Sequence, residues 1–452
     1  NDFVWKGLNA YYLHQDLVPD LADTRFNSDA QLNSYLSSFP DYNSLFSNLL
    51  ISSDVKSTLI EDYNTITEPI ARTAFTNGLE FGIITSPNNN NNVIGYVTHI
   101  LPNSNSSIKN IARGEYFSAV DGIQLTKTNY QDLLLNGLDN FTLLMANFDG
   151  TIATPNAKTV SLEKQAYTYS ATFMEKVISV NADNVGYLMY QNNFSNNYID
   201  DLNNTFLSFK NQSINKLILD FRYNIGSGGF AKNIAKIAAM ISEQNADEIL
   251  IKEQWNSKAQ SWFLANQPDS LVTKFPKTIS SNININSLNI SDVYIILNGP
   301  NFEGSSATEL LINSLKPHIN VHIIGNQTAG NNTGAITLYN SDDYDFPLKN
   351  ETHTVALQPI VLSFLNKNDQ TYENGFSPNI NLCANEDILD LGVLGEDSDP
   401  ILNSVLNYIS TGNAVSNTNC NPNNFDYLFN SINTQRTLDK GVFIEQNLPN
   451  TN

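Results

Sequence analysis

Leu217-Ile218-Leu219-Asp220-Phe221-Arg222-Tyr223-Asn224-Ile225-Gly226-Ser227-Gly228-Gly229 decides the fold. The apolar run that opens it reads as a buried strand, and the glycines that close it read as a sharp turn. A helical pattern follows at Phe230–Ile241. The same strand-then-helix grammar recurs on both sides. Val185–Tyr190 precedes a helix at Ile199–Phe209, and Val293–Leu297 precedes a helix at Ser305–Leu315 and a further strand at Val321–Gly325. Such alternation predicts a mainly parallel sheet with crossover helices, the core of a multi-domain α/β protein.

Working outward, residues 1–75 carry helical spacing, with Trp5, Leu8, Tyr11 and Tyr12 on one stripe. Residues 76–165 read as a small mixed β-domain. The Asn88–Asn92 run separates two strands there, Asp121-Gly122 marks a tight turn, and Tyr130–Leu135 is helical. The α/β core then occupies 166–411. An asparagine-rich extension, 412–452, holds a weak helix at Phe425–Ile432.

Ligands of open α/β sheets gather at the carboxyl ends of the strands. Two such ends stand out. The glycine run after Asp220 could be a tight turn only, a phosphate cradle, or an oxyanion hole. No GxxxxGK[ST] or GxGxxG pattern supports the phosphate, and uncharged backbone donors suit an oxyanion. The second end is Gly304-Ser305-Ser306-Ala307-Thr308-Glu309-Leu310, where serines open a helix. They could be caps, or one could be a nucleophile favoured by the helix dipole.

Taken together these stretches resemble the carboxyl-terminal processing peptidases, or tail-specific proteases, from the N-terminal helices to about residue 411. Asp220–Asn224 with the following glycines is similar to that family's strand and turn. Ser306-Ala307-Thr308-Glu309 resembles its Ser-Ala-Ser-Glu motif, Thr328 and Gly330 its lysine-bearing loop, and Asn374–Pro378 a later segment. Phe81-Gly82, Arg113-Gly114-Glu115 and Val120-Asp121-Gly122 resemble its inserted PDZ module. The resemblance implies a ClpP/crotonase-like αββ core, a Ser–Lys dyad with Ser306 as nucleophile, and an oxyanion hole at Gly228, Gly229 and Ala307. It implies capture of substrate C-termini by β-augmentation at Phe81, Gly82 and Ile83. No metal, nucleotide or organic cofactor is implied.

One position departs from the pattern. The family's general-base lysine falls at Asn331. An amide is no base near neutral pH, and losing a general base costs roughly 10²–10⁴ in rate. Lys316, His318, His322, Lys349, His353 and His99 are the other basic groups considered, and none lies in a catalytic motif. The expectation is therefore an impaired peptidase. The alternatives are an inactive pseudopeptidase acting as a peptide-binding scaffold, and a binder of a small apolar ligand, since the core also resembles retinoid-binding modules.

Composition narrows the partners. The net charge of −21 disfavours nucleic acid and anionic membrane surfaces. Asparagine is about one residue in seven, well above ordinary usage. Cys383 and Cys420 could form a disulfide or be two separate thiols, and no spacing suggests zinc. No apolar stretch is long enough to span a bilayer. The chain does not open on Met, so a signal peptide or lipid anchor upstream would be unseen. Family habit suggests an exported bacterial protein, periplasmic or at the outer membrane.

Overall fold

The computed structural model describes residues 1–67, 73–224, 228–297, 305–382, 386–415, 425–433 and 441–444. Its centre is a six-stranded sheet in the order Met174–Val180, Asp183–Met189, Lys216–Asp220, Asp292–Leu297, Asn320–Gly325, Ile380–Asn381. The first pair is antiparallel and every later pair parallel. Both faces are covered, as all-apolar strands require. Leu217, Leu219, Val293 and Ile295 join one apolar core with helices Ile199–Asn211, Ala231–Ile241 and Ser306–Leu315. Ile218, Tyr294 and Ile296 face the other way, against Leu402 and Val405 of helix Pro400–Thr411.

The N-terminal helices Asp2–Tyr11, Asp29–Leu36 and Tyr42–Asn48 do not stand apart. Leu8, Tyr12, Leu45 and Leu49 belong to the same apolar core as Leu217 and Leu310. Asn256 pins the first helix by donating its side-chain amide to the carbonyls of Ala10 and Tyr12.

Strands Thr73–Thr76 and Gln165–Thr168 pair where the chain leaves and re-enters the core. Between them lies a β-module with its own apolar centre of Leu79, Phe81, Ile83, Val97, Phe117 and Leu143. The Asn88–Asn92 turn joins strands Leu79–Thr85 and Val93–Ile100. At Asp121 and Gly122, φ of 49° and 79° give the left-handed pair that a two-residue hairpin needs.

The extension differs from the expected weak helix. Tyr427–Asn430 is a strand, paired antiparallel with Leu79–Thr85 as an outermost strand of the module's sheet. Short apolar runs are ambiguous between helix and strand, and here an open sheet edge supplies backbone partners that a lone helical turn cannot. Farther on, Val442–Phe443 enters a second sheet, ordered Gly229–Phe230, Val442–Phe443, Thr333–Ala335, Ile360–Asn366, Ile249–Trp255, Val272–Lys274. Cys383 and Cys420 lie outside the described residues. Among the described residues, no helix is long and apolar enough to cross a membrane.

Candidate active site

Ser306 is the first residue of helix Ser306–Leu315 and is 7% exposed. Ser305 caps that helix. Its hydroxyl accepts from the Thr308 N–H at 3.2 Å, and the Thr308 hydroxyl accepts from the Ser305 N–H at 2.9 Å. The hydroxyl that Thr308 keeps at the second motif position thus closes a capping box. Ser306 is left in the first helical turn, where the dipole favours negative charge. Ala307 follows in the same turn, fully buried.

The glycine strand stands beside this turn. Asn224, fully buried, accepts from the Ser305 hydroxyl at 3.5 Å and donates to the Asn192 carbonyl. The Gly228 carbonyl accepts from the Phe194 N–H at 3.0 Å. At Gly229 a side chain has no room: a Cβ would lie 2.5 Å from that of Phe194. The Gly229 N–H is already engaged, donating at 3.1 Å to the carbonyl of Gly441. That bond belongs to the ladder with Val442–Phe443, so in this state Gly229 offers no free donor to an oxyanion.

Glu309 is the residue that sequence reasoning undervalued. It lies one turn along the Ser306 helix, fully buried. Its two carboxylate oxygens accept from the backbone N–H groups of Gly330 and Asn331, each at 2.7 Å. Burial raises its pKa, against the lowering pull of Thr328, of those two N–H groups and of Lys56. Gly330 meets the demand with φ of 83° beside the Glu373 carbonyl, where a Cβ would sit 2.2 Å away. The loop that carries Gly330 and Asn331 is therefore held to the Ser306 helix. Replacing Glu309 by Ala leaves one buried and one partly buried donor unpaired. It should cost roughly 2–4 kcal/mol, read from the denaturant midpoint; a change under about 0.5 kcal/mol would show that the clamp does not hold the loop.

The other basic groups are occupied elsewhere. His99 stacks on Tyr223 with centroids 4.5 Å apart, and its Nε2 lies 3.0 Å from Gln191 Oε1. His322 stacks on Tyr294 and meets Asp292 at 3.3 Å. His318 is edge-on to Phe275, His353 bonds Asn340, Lys316 lies over Phe376 and Lys349 over Phe346. Sequence reasoning passed over Lys56. Its ammonium donates to the Thr333 hydroxyl at 3.4 Å, two residues beyond Asn331, and its charge acts on Glu309. Desolvation lowers its pKa, countered by Glu309 and Asp54.

The Ser306 helix, the glycine strand and the loop held by Glu309 all belong to the core. By sequence, residues 184–382 match peptidase family S41. This core is a peptidase family S41 domain. The S41 fold extends well beyond the matched segment. A solved structure assigned to the S41 proteases, from Bacteroides fragilis, is 20% identical over 91% of this chain and 98% of its own, with a TM-score of 0.68. A photosystem II D1 C-terminal processing protease is 17% identical over 84% of this chain and 90% of its own, with a TM-score of 0.44. No curated protein matches by sequence.

The S41 core and the β-module are joined by a buried charge cluster. Arg222, fully buried, meets Asp220 at 2.6 Å, Asp399 at 2.8 Å and Glu386 at 3.0 Å. Arg113 of the module reaches the same Glu386 oxygen at 2.6 Å. Tyr187 donates to Asp220 at 2.8 Å and Tyr223 to Glu386 at 2.5 Å, so hydroxyls support the carboxylates as well.

Proposed function

We propose that this chain is a serine peptidase of the tail-specific type, acting on protein segments in an exported, periplasmic compartment, with its chemistry attenuated at the general base. The observation that supports it is the pairing of Ser306, at a capped helix start, with a loop held through Glu309 that presents Asn331. Ser306 supplies the nucleophile, and Ala307 with Gly228 or Gly229 supplies oxyanion donors once the tail strand leaves. Lys56, whose ammonium meets the Thr333 hydroxyl and whose charge acts on Glu309, is the amine we assign as proton acceptor in default of a lysine at 331. A second reading, a peptide-binding scaffold without catalysis, draws on Asn331 itself.

The test is cleavage of an unfolded protein followed by mass spectrometry. Slow cleavage should vanish in Ser306→Ala and fall at least tenfold in Lys56→Met. Cleavage that survives Ser306→Ala would end the serine reading. No cleavage by the parent chain, together with none by Asn331→Lys, would favour the scaffold.

The module edge at Phe81, Gly82 and Ile83 is proposed as a peptide-capture strand. Glu80, buried beside it, accepts the Ser431 hydroxyl at 2.5 Å. A peptide acid should bind at least tenfold more tightly than its amide, and equal affinities would rule out carboxylate capture.

A further inference from the structure

Two sites suited to an extended peptide are filled by two stretches of the chain's own C-terminal extension. At the first, Tyr427–Asn430 lies along the outer side of Leu79–Thr85, with Tyr427 opposite Ile84, Phe429 opposite Ile83 and Asn430 opposite Gly82. The Thr85 N–H donates to the Asp426 carbonyl at 2.9 Å, and the Phe81 N–H donates to the Ser431 hydroxyl at 2.9 Å. Phe429 packs between Phe81 and Tyr130, with centroids 6.0 and 5.8 Å away. Main-chain bonds to an edge strand with an aromatic side chain seated beside it are the features of peptide capture by strand addition.

At the second site, Val442–Phe443 lies between Gly229–Phe230 and Thr333–Ala335, parallel to both. One neighbour continues from the glycine turn, and the other begins two residues after Asn331. The Gly441 carbonyl takes the Gly229 N–H, the Ile444 N–H donates to the Ala335 carbonyl at 3.2 Å, and Val442 is fully buried. Lifted out, this strand would leave a slot with backbone donors and acceptors on both walls. Such a slot accepts an extended peptide that is small, then β-branched, then aromatic.

We propose that residues 425–433 and 441–444 act as an internal peptide ligand, filling the capture edge and the slot between Gly229–Phe230 and Thr333–Ala335, so that an incoming protein segment must displace them. The proposal rests on the peptide-binding part of the reading above and not on catalysis. Tethering raises the local concentration of such a ligand to about the millimolar range, enough to exclude a free peptide of ordinary affinity.

The test uses the full chain carrying Ser306→Ala, so that hydrolysis plays no part. A fluorescent synthetic peptide of sequence 425–444 is titrated against that chain and against the same chain with Phe429→Asp and Val442→Asp. The doubly altered chain should bind the peptide at least tenfold more tightly while keeping a cooperative thermal transition. Equal affinities, or no binding by a cooperatively melting variant, would overturn the proposal. Loss of the cooperative transition would also overturn it, because the segment would then be part of the fold and no displaceable ligand. Absence of peptidase activity in every variant would leave this binding result as it stands.

Discussion

Asn331→Lys should raise the rate of peptide hydrolysis by about 10²–10⁴, the range a positioned general base contributes. The gain depends on the loop being in place already. Glu309 holds the Gly330 and Asn331 N–H groups at 2.7 Å, so the new side chain would start from a backbone that is already fixed. Partial burial of position 331 favours the neutral amine, and the Glu309 carboxylate pulls the other way. The rate should therefore rise with pH up to an apparent pKa below the ordinary lysine value of about 10.4. Initial rates on one fluorogenic peptide, with and without Ser306→Ala, check this. A rate unchanged within twofold would mean that position 331 does not face the nucleophile.

The largest stability effect belongs to Arg222. Its guanidinium is fully buried among Asp220, Glu386 and Asp399. Removing one partner from a buried ionic cluster is costlier than removing the whole cluster, because charges are left unpaired in a poor solvent. Arg222→Met should therefore cost about 3–5 kcal/mol, read from the denaturant midpoint. A loss below about 1 kcal/mol would mean that the carboxylates are neutral or hydrated. Glu386 gives the pH signature. Burial pushes its pKa up, but the Arg113 and Arg222 charges prevail and hold it below the ordinary glutamate value. A carboxylate with a lowered pKa stabilises fully above its unfolded value of about 4.3 and loses that contribution as pH falls through the folded one. Glu386→Gln should start less stable at pH 6 and lose less between pH 4.5 and 2.5 than the parent chain. Parallel curves would show that Glu386 carries no linked proton.

Much of the fold around this site was legible before the structure. Buried apolar runs placed the parallel strands, and Ser305-Ser306 with Thr308 marked the helix start and its cap. Asn331 stood out because the family resemblance leads one to expect a lysine at that position. Three features were not legible, each for a physical reason. Arg222 pairs with Glu386 and Asp399 at sequence separations of 164 and 177, which no local pattern records. Glu309 looked like an ordinary helix carboxylate, because its burial comes from a loop 21 and 22 residues away. Val442–Phe443 is two residues long, so its strand state comes from the slot it fills rather than from its own propensity.

The central claim is that Ser306 is a serine nucleophile deprived of its base. It is tested most directly by a small fluorophosphonate probe and intact-mass kinetics, which need no knowledge of the substrate. The account predicts slow labelling of the chain, labelling of Asn331→Lys faster by about 10² or more, and none once Ser306→Ala is added. Equal labelling of the chain and Asn331→Lys, or an adduct that persists in Ser306→Ala, would contradict it.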